Sequence, residues 1–178
     1  MSKKLVAASM VAYIGTKVVM SVAMTRGAYN DYQGWQIPEN EDPADPGYLI
    51  EYKDGGTPNH PDHEGYISWS PYSIFQETYR SNGNLSFSDA LTLLKRGYRV
   101  ARKNWNANNQ WLSVSNLDTA AVEAKNFWSP HNREYAEQNG GVAIVAPCIT
   151  IKNAQGLIVM GWVPSQGDLF ANDWMTVE

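Results

Sequence analysis

Cysteine is almost absent from this chain: Cys148 stands alone among 178 residues. That excludes an internal disulfide and any metal site built from thiolates only. Histidine is nearly as scarce, and three imidazoles, His60, His63 and His131, leave little for a zinc centre. Charged residues are only 18% of the chain, with a net charge of −4. Overall acidity counts against the basic stripe with which proteins grip long nucleic acid. Phosphate-loop and dinucleotide fingerprints are missing, so Gly55-Gly56 and Gly140-Gly141 read as turns. So is an unbroken membrane span. The apolar stretch from Leu5 to Ala23 follows Lys3 and Lys4, and Ser21-Val22-Ala23 has the form of a signal-peptidase site. Gly15, Thr16 and Lys17 interrupt the stretch, which reads instead as a strand, a turn and a second strand. No catalytic triad is evident. Cys148 lies in an apolar strand-like run, where a thiol is usually inert, and His131 sits on a polar insert.

Apolar residues, at 43%, suffice for a core, and seven Trp and ten Tyr raise the aromatic share to 12%. Tryptophan in excess marks flat contact surfaces for rings or partners. The chain divides in composition. Residues 1–83 hold six basic against ten acidic residues and six of the nine prolines, whereas residues 84–178 carry eight charges of each sign. The polar turn Ser81-Asn82-Gly83-Asn84 sets the boundary.

The pattern predicts an α+β protein: a small β-rich N-terminal module followed by a compact antiparallel-sheet domain with one main helix. In the first part, Val18–Met24, Tyr48–Tyr52 and Tyr66–Trp69 read as strands, and the acidic segment 38–46 as a surface loop. Ser70-Pro71 reads as the N-cap and first turn of a helix running to Arg80. In the second part, Ser86 or Ser88 caps a helix whose apolar face is Phe87, Ala90, Leu91, Leu94 and Tyr98, closed by Gly97. Strands are expected at 99–102, 111–114, 142–145, 149–152, 157–163 and 173–177. Residues 119–127 read as helix within a polar insert, 168–171 as a helical turn, and Asn153-Ala154-Gln155-Gly156 as a hairpin turn.

Two constellations carry candidate chemistry. His60-Pro61-Asp62-His63-Glu64 gathers imidazoles and carboxylates that could ligate a metal, but in a Pro-rich loop such residues are ordinarily solvated. The other is assembled from three segments: Arg102-Lys103-Asn104-Trp105-Asn106, Gly161-Trp162 through Gln166-Gly167-Asp168, and Asp173-Trp174. Indoles beside amides, hydroxyls and carboxylates suit a nucleobase or ribose, with Arg102 and Lys103 available to a phosphate. The competing reading makes these tryptophans core or interface aromatics.

The second part resembles the phage Thoeris anti-defense protein 2 family. The resemblance rests on LSFSDALTLLKRGYRVARKNWN, QWLSV, CITIKNAQGLIVMGW and WVPSQGDLFANDWMTVE. It implies a non-catalytic protein of the host bacterial cytoplasm that sequesters cyclic nucleotide immune signals. Those signals are glycocyclic ADP-ribose isomers and, in some members, cyclic dinucleotides. It also implies a homotetramer with pockets between protomers, no cofactor or metal, and no long nucleic acid or membrane as partner. By this likeness the ligand-binding positions are Phe87, Trp105, Asn106, Trp162, Ser165, Gln166 and Asp168, with Trp174 in a packing role. Cys148 stands where an aromatic is common in that family. Residues 1–83 resemble a small module of phage proteins with no known activity. The alternatives are an enzyme that degrades the signal, using the His60–Glu64 cluster, or a structural or protein-interaction module.

Overall fold

The computed structural model of the chain describes residues 15, 17–105 and 109–177. The expected strand and turn before Gly15, and the candidate Asn106, lie outside those residues. The protein is α+β and forms two compact units, divided between Tyr79 and Arg80.

The first unit is a three-stranded antiparallel sheet. Strands β1 (Met20–Ala23) and β3 (Tyr66–Pro71) pair on either side of β2 (Gly47–Tyr52). The central strand buries Leu49 and Ile50, as its β-branched and aromatic composition favours. Between β1 and β2 lies α1 (Arg26–Gln33), which the sequence pattern did not suggest. Its sequence RGAYNDYQ is poor in helix formers. Thr25 Oγ1 caps it by accepting from the Ala28 N–H, and Tyr29 anchors it by packing on Leu49 and Ile67. Tertiary burial here overrides propensity. A second helix, α2 (Tyr72–Thr78), follows β3 directly. Its N-cap is Pro71, not Ser70, because Ser70 remains in β3 opposite Tyr48. Phe75 of α2 stacks on Tyr48 at 3.9 Å.

In the second unit, helix α3 (Phe87–Lys95) starts with a reciprocal capping box between Ser86 and Asp89. Gly97, at φ 86°, closes the turn after it. Tyr98 falls outside the helix and is half exposed, so the apolar face ends at Leu94. Strands β4 (Arg99–Arg102) and β5 (Trp111–Ser115) come next. The insert that follows departs from expectation. Residues 119–127 are not an α-helix: β6 (Ala121–Glu123) leads into a single 3₁₀ turn, Ala124–Asn126. Pairing with β7 (Val142–Ile144) holds Ala121 and Val122 extended. The helix of the insert is α4 (Pro130–Gln138), opened by Ser129-Pro130 with Pro at its first turn.

The remaining elements are β8 (Cys148–Lys152), β9 (Ile158–Met160), the one-turn helix α5 (Gln166–Leu169) and β10 (Trp174–Val177). They complete a five-stranded antiparallel sheet of order β10-β4-β5-β8-β9. Helix α3 packs on one face of it. Ala90 and Leu94 from the helix meet Val100, Leu112 and Trp174 from the sheet, all with no exposed surface. This core fixes the end of β4 and the start of β10 side by side, since Trp174 pairs with Arg102.

Candidate functional site

Three loops converge where β4 ends and β10 begins, and Arg102 ties them together. Its Nε donates to Asp173 Oδ1 at 2.8 Å, and its Nη1 donates to Asp168 Oδ1 at 3.0 Å and to the Gly167 carbonyl at 3.2 Å. All three ionic side chains are largely buried, with 13–21% of their surface exposed. Charge-assisted, partly desolvated pairs of this kind are shorter and stronger than surface ion pairs. The Arg102 guanidinium is therefore committed to carboxylates, which corrects the expectation that it meets a phosphate. Lys103 next to it is exposed.

Asp168 has the most demanding set of contacts. Its Oδ2 accepts from the Ser165 N–H at 3.0 Å and from Ser165 Oγ at 2.7 Å. Its Oδ1 accepts from Arg102 and, at 3.5 Å, from the Trp105 indole Nε1. Ser165 Oγ in turn accepts from the Asp168 N–H, so the pair is a capping box that starts α5. Burial opposes the Asp168 charge, but the hydrogen bonds from Ser165, Arg102 and Trp105 together outweigh it and hold the carboxyl below the usual aspartate range. Asp173 shows the same balance, with Arg102 as its main stabiliser against burial. Its Oδ2 also accepts from the Asn104 N–H at 3.2 Å, which pins the loop leading to Trp105.

The aromatic groups gather on this frame. Trp174 is wholly buried, and its indole N–H donates to the Asp168 carbonyl at 3.1 Å. Around it stand Phe87 at 5.5 Å, Trp105 at 5.6 Å and Trp162 at 6.3 Å between ring centroids, each half-buried. Trp105 and Trp162 meet edge to face at 6.4 Å. The site is thus a buried indole carrying three rings that still present part of their surface. Ser165 and Gln166 are exposed at the start of α5. Of the residues singled out from the sequence, Phe87, Trp105, Trp162, Ser165, Gln166 and Asp168 come together here. The organising role of Arg102 and Asp173 is what sequence reasoning missed. The Asp168 part of the frame does have a local signal, because Ser165-x-x-Asp168 repeats the Ser86-x-x-Asp89 capping pattern.

The surroundings are apolar and open. Val163 and Phe170, which flank α5, are 79% and 80% exposed. At the sheet edge opposite β10, strand β9 also presents Ile158, Val159 and Met160 to solvent.

A family description reading "Tad2-like: Thoeris anti-defense 2-like domain" matches residues 85–177, the span that builds this frame. The chain belongs to the Thoeris anti-defense 2-like family. A relative, the Thoeris anti-defense 2 protein of Bacillus phage SP01, is 33% identical over 90 residues, which is 51% of this chain and 91% of the relative. The family span thus takes in α3, the whole five-stranded sheet and the insert.

The other sequence candidates sort differently. His60 and His63 lie on a surface loop, yet their side chains are only 12% and 17% exposed. His60 stacks on Tyr32 at 4.2 Å, and His63 bridges the Tyr32 hydroxyl at 3.0 Å and Glu51 at 3.3 Å. These imidazoles are packed, not solvated. Among the described residues no three His, Cys, Asp or Glu side chains gather as a metal site. Cys148 is half-buried at the start of β8, and His131 is exposed on α4. Among the described residues no helix is long and apolar enough to cross a membrane.

Proposed function

We propose that this protein blocks Thoeris defence by binding and sequestering cyclic nucleotide signals without cleaving them. The ligands are glycocyclic ADP-ribose isomers and, as a second class, cyclic dinucleotides. The observation that carries the reading is the coincidence of the family span with the tryptophan platform held by Arg102, Asp168 and Asp173. Phe87, Trp105 and Trp162 supply stacking surface for base and ribose. Ser165, Gln166 and Asn106 supply hydrogen bonds. Asp168 orients Trp105 and the start of α5, and a ligand donor reaching it joins four donors already in place. Sequestration fits the electrostatics of the frame. Its ionisable groups are locked in ion pairs, with the two carboxyls held below their usual range, so none is poised to exchange a proton near neutral pH.

The exposed apolar groups beside α5 and along β9 support a homo-oligomer, a tetramer by family likeness, with ligand enclosed between protomers. The host bacterial cytoplasm, where such signals are made, is the proposed place of action. A melting-shift screen of glycocyclic ADP-ribose isomers and cyclic dinucleotides tests the ligand class. A shift of several degrees is expected for at least one of them, and it should shrink in Trp162→Ala. No shift with any member would remove the assignment.

A further inference from the structure

The N-terminal unit contains a cleft of about 580 Å³ between loop 38–46, the start of α1 and the junction of β3 with α2. Its walls are built by close approaches. The Gly27 N–H donates to the Pro43 carbonyl at 3.0 Å and the Arg26 N–H to the Asp45 carbonyl at 2.9 Å, lacing the loop to α1. A Cβ on Gly27 would stand 2.8 Å from Cβ of Pro43, so only glycine permits this contact. On the other side, the Tyr72 N–H donates to the Pro46 carbonyl at 3.0 Å. A Cβ on Gly47 would stand 2.4 Å from the Trp69 ring.

One guanidinium already sits in this cleft. Arg26 lies over the Trp69 ring at 5.2 Å and ion-pairs with Glu41, while the indole N–H is fixed on the Met24 carbonyl at 2.8 Å. An aromatic face and a carboxylate hold the cation from two sides. The rest of the cleft offers the same two groups to solvent. Tyr72, stacked on Tyr48 at 6.1 Å, is still 51% exposed, and Asp45 is exposed beside Pro46. Loop 38–46 carries Glu39, Glu41, Asp42 and Asp45 and no basic residue; Arg26 offsets Glu41, and the other three carboxylates leave a field that favours a positive charge.

We infer that this cleft binds an arginine side chain presented by an extended peptide of a partner protein. The guanidinium stacks on Tyr72 and pairs with Asp45, and Pro46 and Pro71 flank the peptide. A cleft in the range of about 300–1,000 Å³ typical of ligand sites holds more than one side chain, which favours a peptide over a free amino acid. The inference is independent of the nucleotide reading, because every group it uses lies in the first unit.

The test is a titration of the isotopically labelled full chain followed by amide NMR shifts. The probes are the capped peptide Gly-Pro-Arg-Pro-Gly, its glutamate counterpart Gly-Pro-Glu-Pro-Gly, and free arginine. Saturable shifts at Asp45 and Tyr72, with a dissociation constant below about 1 mM for the arginine peptide only, are expected. Asp45→Asn, an exposed change, should weaken binding about 10-fold with the melting temperature unmoved. Tyr72→Ala should weaken it about 5-fold. No saturation by about 10 mM, equal binding of the glutamate peptide, free arginine binding as tightly as the peptide, or full affinity in a folded Asp45→Asn would each overturn the proposal.

Discussion

Trp174 and Trp162 are the same residue type 12 positions apart in the chain, yet the fold asks different things of them. Trp174 has no exposed surface, touches all three neighbouring rings and caps the core of the second unit. Its truncation to Ala should cost about 3–5 kcal/mol of stability, seen as a large drop in melting temperature. Trp162 is half-buried and keeps part of its ring surface exposed. Trp162→Ala should cost less stability and weaken every nucleotide by about 5- to 150-fold, the range of one base–aromatic stack. Melting and titration on the same two variants separate the roles. If Trp162→Ala destabilises as much as Trp174→Ala and leaves affinity unchanged, Trp162 is a core residue.

The carboxylates allow a second test at this scale. Asp168 and Asp173 have folded pKa values below the ordinary 3.8. A group with a depressed folded pKa binds fewer protons folded than unfolded, so its stabilisation is full above the unfolded value and is lost as pH falls through the folded one. Thermal or urea unfolding should therefore show stability declining below about pH 4, with the loss continuing as pH drops further. Asp173→Asn should flatten that decline. A pH profile identical to the parent would mean that the Arg102 bridge does not hold in solution.

At the level of elements, one spelling serves two purposes. Ser86-x-x-Asp89 and Ser165-x-x-Asp168 are both capping boxes, but the first starts the nine-residue α3 and the second the four-residue α5. A helix of one turn has no length to stabilise it, so α5 depends on its cap and on Arg102. Ser86→Ala should cost about 1 kcal/mol of stability with affinity preserved. Ser165→Ala should have a smaller effect on melting and a larger one on affinity, because it frees the start of α5 and one partner of Asp168. Equal effects on both readouts would argue that α5 is only a packing element.

The elements also show what the chain reveals of itself. Helix α3 and strands β4, β5 and β8 were legible because their apolar periods match their secondary structure and their ends carry recognisable caps and turns. Helix α1 was not, since Gly27, Asn30 and Asp31 argue against a helix, and Tyr29 buried against β2 and β3, with the Thr25 cap, decides for it. In the insert, local spacing suggested helix at 119–127, but pairing with β7 over some twenty residues of chain prevailed. Ser129-Pro130 opens α4 with the same pair as Ser70-Pro71, but PHNREYAEQ is so polar that it carries no apolar period to mark a helix. The site divides in the same way. Its aromatic and polar members stand out as residue types, whereas the Arg102–Asp173 bridge joins positions 71 apart and has no local signature.

For the whole molecule, the two units have separate cores, one around Tyr29, Leu49 and Ile67 and one around Leu94, Val100, Leu112 and Trp174. A fragment from Arg80 to Glu178 should therefore fold and bind nucleotide as the full chain does. Calorimetry on a folded fragment without affinity would place part of the site in the first unit. Exposed Ile158, Val159, Met160, Val163 and Phe170 would be a liability on a monomer. Light scattering of the full chain should give four times 19.9 kDa, and a clean monomer would remove the enclosed site between protomers.

Capture and release of the signal tests the central claim most directly. The full chain is incubated with glycocyclic ADP-ribose, separated from free nucleotide by filtration, and then denatured by heat. Sequestration predicts that the nucleotide is retained with the protein and returns intact in stoichiometric amount. A cleaved product in the eluate, or free nucleotide passing the filter as though no protein were present, would contradict it.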